Sequence, residues 1–118
     1  MAPPTPLGEG APDADVIQEA AATFGLLSAT VRLELLWALA AGESDVGTLA
    51  EQVGQTVATV SHHLGKLKMS GLVTARRAGR HQFYAVADPL VIEMVRLAVA
   101  HHEDLRHTTP AERRRRWA

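Results

Sequence analysis

Residues 49–67 read LAEQVGQTVATVSHHLGKL, and their interpretation decides the fold. Two short apolar-patterned runs meet at Gly54, with Ala50 four residues before it and Val60 six residues after. Ala50 leaves room for a second helix to cross the first, and Gly54 permits the tight turn between them, so the stretch predicts a helix-turn-helix. In the second helix Val57, Val60, Leu64 and Leu67 make one apolar seam, and the other face carries Thr59, Ser61, His62, His63 and Lys66. Those are short or medium donors and acceptors, suited to base edges and phosphates when the helix lies in a major groove.

Charge supports the same reading. The 118 residues carry 12 Lys and Arg, 13 Asp and Glu and six His, a net charge of −1. The balance is uneven: residues 1–54 hold eight acids and one base, Arg32, whereas residues 55–87 hold no acid at all. That acid-free window contains Lys66, Lys68, Arg76, Arg77 and Arg80, interleaved with His62, His63 and His81. A surface facing a polyanion needs such a gap, because each carboxylate repels phosphate.

Working outward, the spacing of Val16, Ile17, Ala20, Ala21 and Phe24 predicts a first helix over about 14–25. Ser28 is placed to cap a second helix, ATVRLELLWALAA, in which Leu33, Leu35, Leu36, Trp37 and Leu39 are the expected core. Ser44 or Asp45 caps a third helix, VGTLAEQV, and Thr56 caps the fourth, which ends at Gly71. Then the period changes: LVTARR and HQFYAV flank Ala78, Gly79 and Arg80 as a β-hairpin with a basic tip, from which Arg76, Arg77, Arg80 and His81 flank the fourth helix. Asp88-Pro89 opens a fifth helix to about His107. The expected architecture is mainly α with a β-hairpin wing. Its parts are a flexible tail over 1–13, a winged helix-turn-helix domain over 14–108 and a loose basic tail over 109–118. A cytosolic location is expected, since the N-terminal residues lack a secretory pattern and no apolar run of membrane-spanning length occurs.

Three segments, FGLLSATVRLELLWAL, LAEQVGQTVATVSHHLGKLKMSGLV and RRAGRHQFYAV, together resemble the ArsR/SmtB family of bacterial winged-helix repressors over residues 16–107. The resemblance implies a homodimer on a palindromic operator, repressing metal efflux or detoxification genes and released by an effector. It places Ser61 and His62 at DNA-contacting positions. The family's cysteine site on the third helix has no counterpart in SDVGTLA, and the chain has no cysteine. The family's other site, on the C-terminal helices at the dimer interface, maps onto Asp88, His101 and Asp104, with Leu90 in place of one histidine and His107 as a substitute ligand.

Helix geometry constrains that site. Asp88 and His101 lie about 20 Å apart along one helix and point to different sides, so they meet at one ion only across two antiparallel copies. His101 and Asp104 share a face, as do Glu103 and His107. The intervening LVIEMVRLAVA is apolar nearly all round, which fits a dimer seam through the terminal helices. Imidazole and carboxylate without thiolate suit Zn(II), Ni(II) or Co(II). Asp88 is equally placed as a helix cap, and His101 to His107 as a solvated helix end. Three functions follow: a metal-released DNA-binding repressor, the same regulator without metal sensing, and a small metalloenzyme built on the His/Asp cluster. No nucleophile or base stands apart from the candidate ligands, which argues against an enzyme.

Overall fold

A computed structural model describes residues 10–117. The tail expected over 1–13 lies outside the described residues apart from 10–13. The described chain runs α1 (Ala14–Leu27), α2 (Thr30–Ala40), β1 (Ser44–Asp45), α3 (Val46–Val53), α4 (Val57–Met69), β2 (Val73–Ala78), β3 (His81–Val86), α5 (Pro89–Arg106) and α6 (Pro110–Trp117). This is the winged helix-turn-helix that the sequence predicts.

Local chemistry sets most of the boundaries. The Asp13 carboxylate accepts from the Asp15 N–H and starts α1. Gly54 closes α3 with φ of +69°, the left-handed conformation that glycine adopts without steric penalty. Two residues later the Thr56 hydroxyl accepts from the Thr59 N–H and starts α4. Asp88 accepts from the Leu90 N–H, and Pro89 takes the first position of α5. Ser28, expected to cap α2, instead terminates α1; its backbone N–H donates to the Gly25 carbonyl, and Ala29 precedes α2 without a side-chain cap.

The sheet has three antiparallel strands in the order β1-β3-β2. Val73 pairs with Val86 and Ala78 with His81, leaving Gly79 and Arg80 as a two-residue loop. Gly79 has φ of +62°, as such a loop requires at its first position. Strand β1 is absent from the sequence reading; Ser44 pairs with Tyr84 and Asp45 with Phe83. A second departure is α6. The segment expected as a loose tail is helical because Thr109 and Glu112 cap each other: the Thr109 N–H donates to Glu112 Oε2 at 2.8 Å and the Glu112 N–H to Thr109 Oγ1 at 3.1 Å. Arg113 ties α6 to α5 by donating to the carbonyls of Leu105 and Thr108.

Leu35, Leu36, Leu49, Val60, Leu64 and Leu67 are wholly buried, so α2, α3 and α4 meet in one core, which Leu72, Val73 and Tyr84 extend into the sheet and Val91, Ile92 and Val95 into α5. Two expected core members lie elsewhere. Val57 is 54 % and Trp37 50 % exposed, because among the described residues no element covers that side of their helices. Along α1 Val16, Ile17 and Phe24 are exposed, as are Leu90 and Leu97 on α5, so the two flanking helices carry apolar faces that the described residues of the protomer leave uncovered. No single described helix is long and apolar enough to cross a membrane.

Replacing Leu64 with Ala empties the centre of the α2–α4 contact and lowers unfolding free energy by about 2–5 kcal/mol. Urea denaturation at fixed protein concentration checks this through a lower midpoint at unchanged slope.

Candidate nucleic-acid interface

The buried seam of Val60, Leu64 and Leu67 fixes how α4 is rolled against the core. With a 3.6-residue period, the exposed Ser61, His62 and Lys66 then fall on the outer sides of the helix. Thr56 and Thr59 serve the helix start. The Thr56 hydroxyl donates to the Thr59 hydroxyl at 2.9 Å while accepting the Thr59 N–H at 3.1 Å, so Thr56 is occupied as a cap and Thr59 keeps its own hydroxyl proton to donate. His63 is half-buried, and its Nδ1 lies 3.3 Å from Arg32 Nη1 on α2. Burial first, then the charges of Arg32, His62 and Lys66, hold the His63 ring below the ordinary histidine pKa. Of the five candidates within the helix, Ser61, His62 and Lys66 are therefore fully presented, Thr59 is half-covered, and His63 faces its own protein through one nitrogen.

The wing sorts its cations in the same way. Arg76 grips Glu43 with two hydrogen bonds of 2.7 and 2.5 Å and lies 5.0 Å over the Phe83 ring. Its hydrogen bond holds the Glu43 carboxyl below the usual glutamate range. Arg76, expected among the phosphate-facing residues, is thus engaged by an acid from before the acid-free window. His81 Nδ1 lies 3.6 Å from Asp45 Oδ2, and Asp45, hydrogen-bonded first by the Thr48 side chain, has its pKa lowered as well. Among the described residues no ion pair involves Arg77, Arg80, Lys66 or Lys68, all of which are exposed. These four cations and the outward side chains of α4 leave the helix-turn-helix and the wing rich in exposed hydrogen-bond donors.

The candidate metal ligands stand apart, on α5. Asp88 is the α5 cap. Asp104 is paired with Arg116 of α6, and the His101 ring lies 5.5 Å from Trp117 and 5.2 Å from His102. His107 is exposed at the C-terminal end of α5. Among the described residues of one protomer, no three His, Asp or Glu side chains converge on a common point. The Arg116 and Trp117 contacts, like the Arg32 and Glu43 contacts, were not foreseen in the sequence reading. Only the Thr109-x-x-Glu112 capping pattern signalled the helix that delivers the first two.

Residues 30–75 match the family model described as "Bacterial regulatory protein, arsR family". The HTH-type transcriptional regulator KmtR of Mycobacterium tuberculosis is 42 % identical over 80 residues, covering 68 % of this chain and 62 % of KmtR, so the match spans less than two thirds of that regulator. NmtR of the same organism, also an HTH-type transcriptional regulator, is 36 % identical over 93 residues, 79 % of this chain and 78 % of NmtR. The solution structure of the homodimeric winged helix-turn-helix DNA-binding domain Mb0332 (fragment 1–100) of Mycobacterium bovis superposes with a TM-score of 0.71 at 35 % identity, covering 84 % of this chain and 94 % of that one. These relatives are transcriptional regulators, not enzymes, which removes the metalloenzyme reading.

Because the Glu43 carboxyl is depressed chiefly by its bond to Arg76, the pair persists above the folded Glu43 pKa and is lost as pH falls through it. Arg76→Ala is expected to move the Glu43 titration midpoint, followed by NMR of its carboxyl carbon, upward toward the ordinary value.

Proposed function

The chain belongs to the ArsR family of bacterial regulatory proteins, and from that premise we propose that it works as a homodimeric repressor that binds a palindromic operator and is released by a divalent transition metal. The observation that carries the DNA half is the outward face of α4 beside the exposed Arg77 and Arg80 of the wing, all within the acid-free stretch 55–87. Two copies joined through their terminal helices set two α4 helices in successive major grooves, roughly 34 Å apart. Ser61 and His62 then reach base edges, Lys66 and Thr59 reach bases or the flanking backbone, and Arg77 and Arg80 hold phosphates beside the groove. The uncovered apolar residues of α1 and α5 supply the seam: Val16, Ile17 and Phe24 on one helix, Leu90 and Leu97 on the other.

The sensing half rests on donor chemistry. His101 and Asp104 of one chain, with Asp88 of its partner and His107 in place of the family histidine that is Leu90 here, make an imidazole–carboxylate set suited to Zn(II), Ni(II) or Co(II). A bound ion would supply a positive centre held by these residues. The residues themselves set the cost of loading: Asp104 must leave Arg116, His101 must turn from Trp117, and Asp88 must share its capping carboxylate. Metal and operator then oppose each other by one coupling free energy, equal in both directions.

A duplex selected by the protein from a randomised pool provides the test. His62→Ala is expected to weaken binding by about 1–3 kcal/mol and to relax preference at one base position, whereas Arg80→Ala weakens all sequences alike and reduces the salt slope by about 1. For sensing, affinity for the duplex is measured with and without each metal. The expected outcome is weaker binding with at least one of the three, abolished by His101→Ala with Asp104→Ala while metal-free binding persists. Equal affinity with and without every metal leaves a regulator that answers to another signal.

A further inference from the structure

The chain bends by 91° between α1 and α2, and Arg32 stands just past the corner. Its guanidinium reaches back to the end of α1, where Nε donates to the Leu26 carbonyl at 2.6 Å and Nη2 to the Gly25 carbonyl at 3.4 Å. Both carbonyls lie in the last turn of α1, where a cation is favoured by the helix dipole; the Gly25 carbonyl also accepts from the Ser28 N–H and hydroxyl. The remaining nitrogen, Nη1, lies 3.3 Å from His63 Nδ1. One planar group therefore bridges the end of α1 and the middle of α4.

Arginine has donors only, so the bond to His63 requires Nδ1 to be the acceptor. The ring must then be neutral with its single proton on Nε2. We infer that Arg32 is a positioning residue that sets α4 against α1 through a neutral, Nε2-protonated His63, so that the reading helix turns with the helix that faces the second copy. The inference rests on the proposed DNA-binding dimer for its consequence and on these three hydrogen bonds for its existence. It also accounts for the single base among the first 54 residues.

Protonation at Nδ1 turns an acceptor into a donor facing a cation, and the bridge opens. The charged groups acting on the ring are Arg32 from α2 and His62 and Lys66 from α4, and all of them resist that proton, in addition to burial. Since the folded pKa lies below the ordinary 6.5, the stabilisation from the bridge is complete above that value and is lost as pH falls below it through the folded pKa.

His63→Gln separates positioning from bulk: a glutamine carbonyl accepts from Arg32 and does not titrate. Arg32→Lys keeps the charge and loses the fork. In the full-length protein at pH 7.5, long-range proton–nitrogen NMR spectra of the histidine rings are expected to show His63 protonated on Nε2 alone. The Gly25–Ser28 amide shifts are expected to follow the His63 titration in wild type and to stay still in His63→Gln. On a duplex selected by wild type from a randomised pool at pH 8, Arg32→Lys is expected to bind about tenfold more weakly, the effect of one lost charge-assisted hydrogen bond. Wild-type affinity is expected to weaken as pH falls through the His63 titration, whereas the affinity of His63→Gln is expected to lack that dependence. A His63 ring protonated on Nδ1, α1 amides indifferent to its titration, or a His63→Gln profile identical to wild type overturns the inference. If wild type selects no duplex, the DNA-binding reading falls, and the ring and amide spectra still decide for or against the bridge.

Discussion

The burial of Val60, Leu64 and Leu67 against α2 and α3 is the constraint on which the rest depends. Three side chains of zero exposure on one helix face leave that helix no freedom to roll, and the residues between them are presented outward by the same geometry. The turn that precedes α4 is equally determined: Gly54 takes a left-handed conformation, Ala50 behind it is small and buried, and Thr56 caps the new helix. A donor face aimed by a hydrocarbon seam costs no binding energy to organise, because the core has already done so on folding.

Charge is arranged at two scales. Along the sequence, acids collect before residue 55 and cations after it. In space, the short β1 strand carries Asp45, with Glu43 just before it, onto the middle of β3, where the two carboxylates meet His81 and Arg76. The inner part of the wing is thereby internally compensated and held to the body. Arg77, Arg80, Lys66 and Lys68 remain to act on a polyanion, one fewer than the five cations of the acid-free window. The same pattern recurs at the other end, where Arg113 and Arg116 of α6 serve the end of α5.

Much of this was legible because its signals are local. Helix periodicity, Gly54, Thr56 and the Asp88-Pro89 pair each act within a few residues, and the fold followed from them. Strand β1 was not legible: two residues are too few to show an alternation, and its pairing partners lie some forty positions away. Helix α6 was legible in principle from Thr109 and Glu112, but four consecutive arginines and a proline read as a break. Val57 and Trp37 were assigned to the core on hydrophobicity, which says that a side chain gains from burial and not whether a neighbour exists on that side. The outward face of α4 could be read from one chain. Asp88 caps the start of α5 and His101 lies in its C-terminal half, so within one chain the two do not meet.

Arg76 and Arg77 are chemically identical neighbours with different employments, and the pleat alone distinguishes them. Successive strand residues point to opposite faces, so the pairing of Arg76 with Phe83 and of Arg77 with Gln82 sends one guanidinium to Glu43 and leaves the other unclaimed. A slip of one residue in the hairpin would exchange the two roles and detach the wing from its anchor. The tight Gly79–Arg80 loop, by denying that slip, acts as the timing pin of the whole arm.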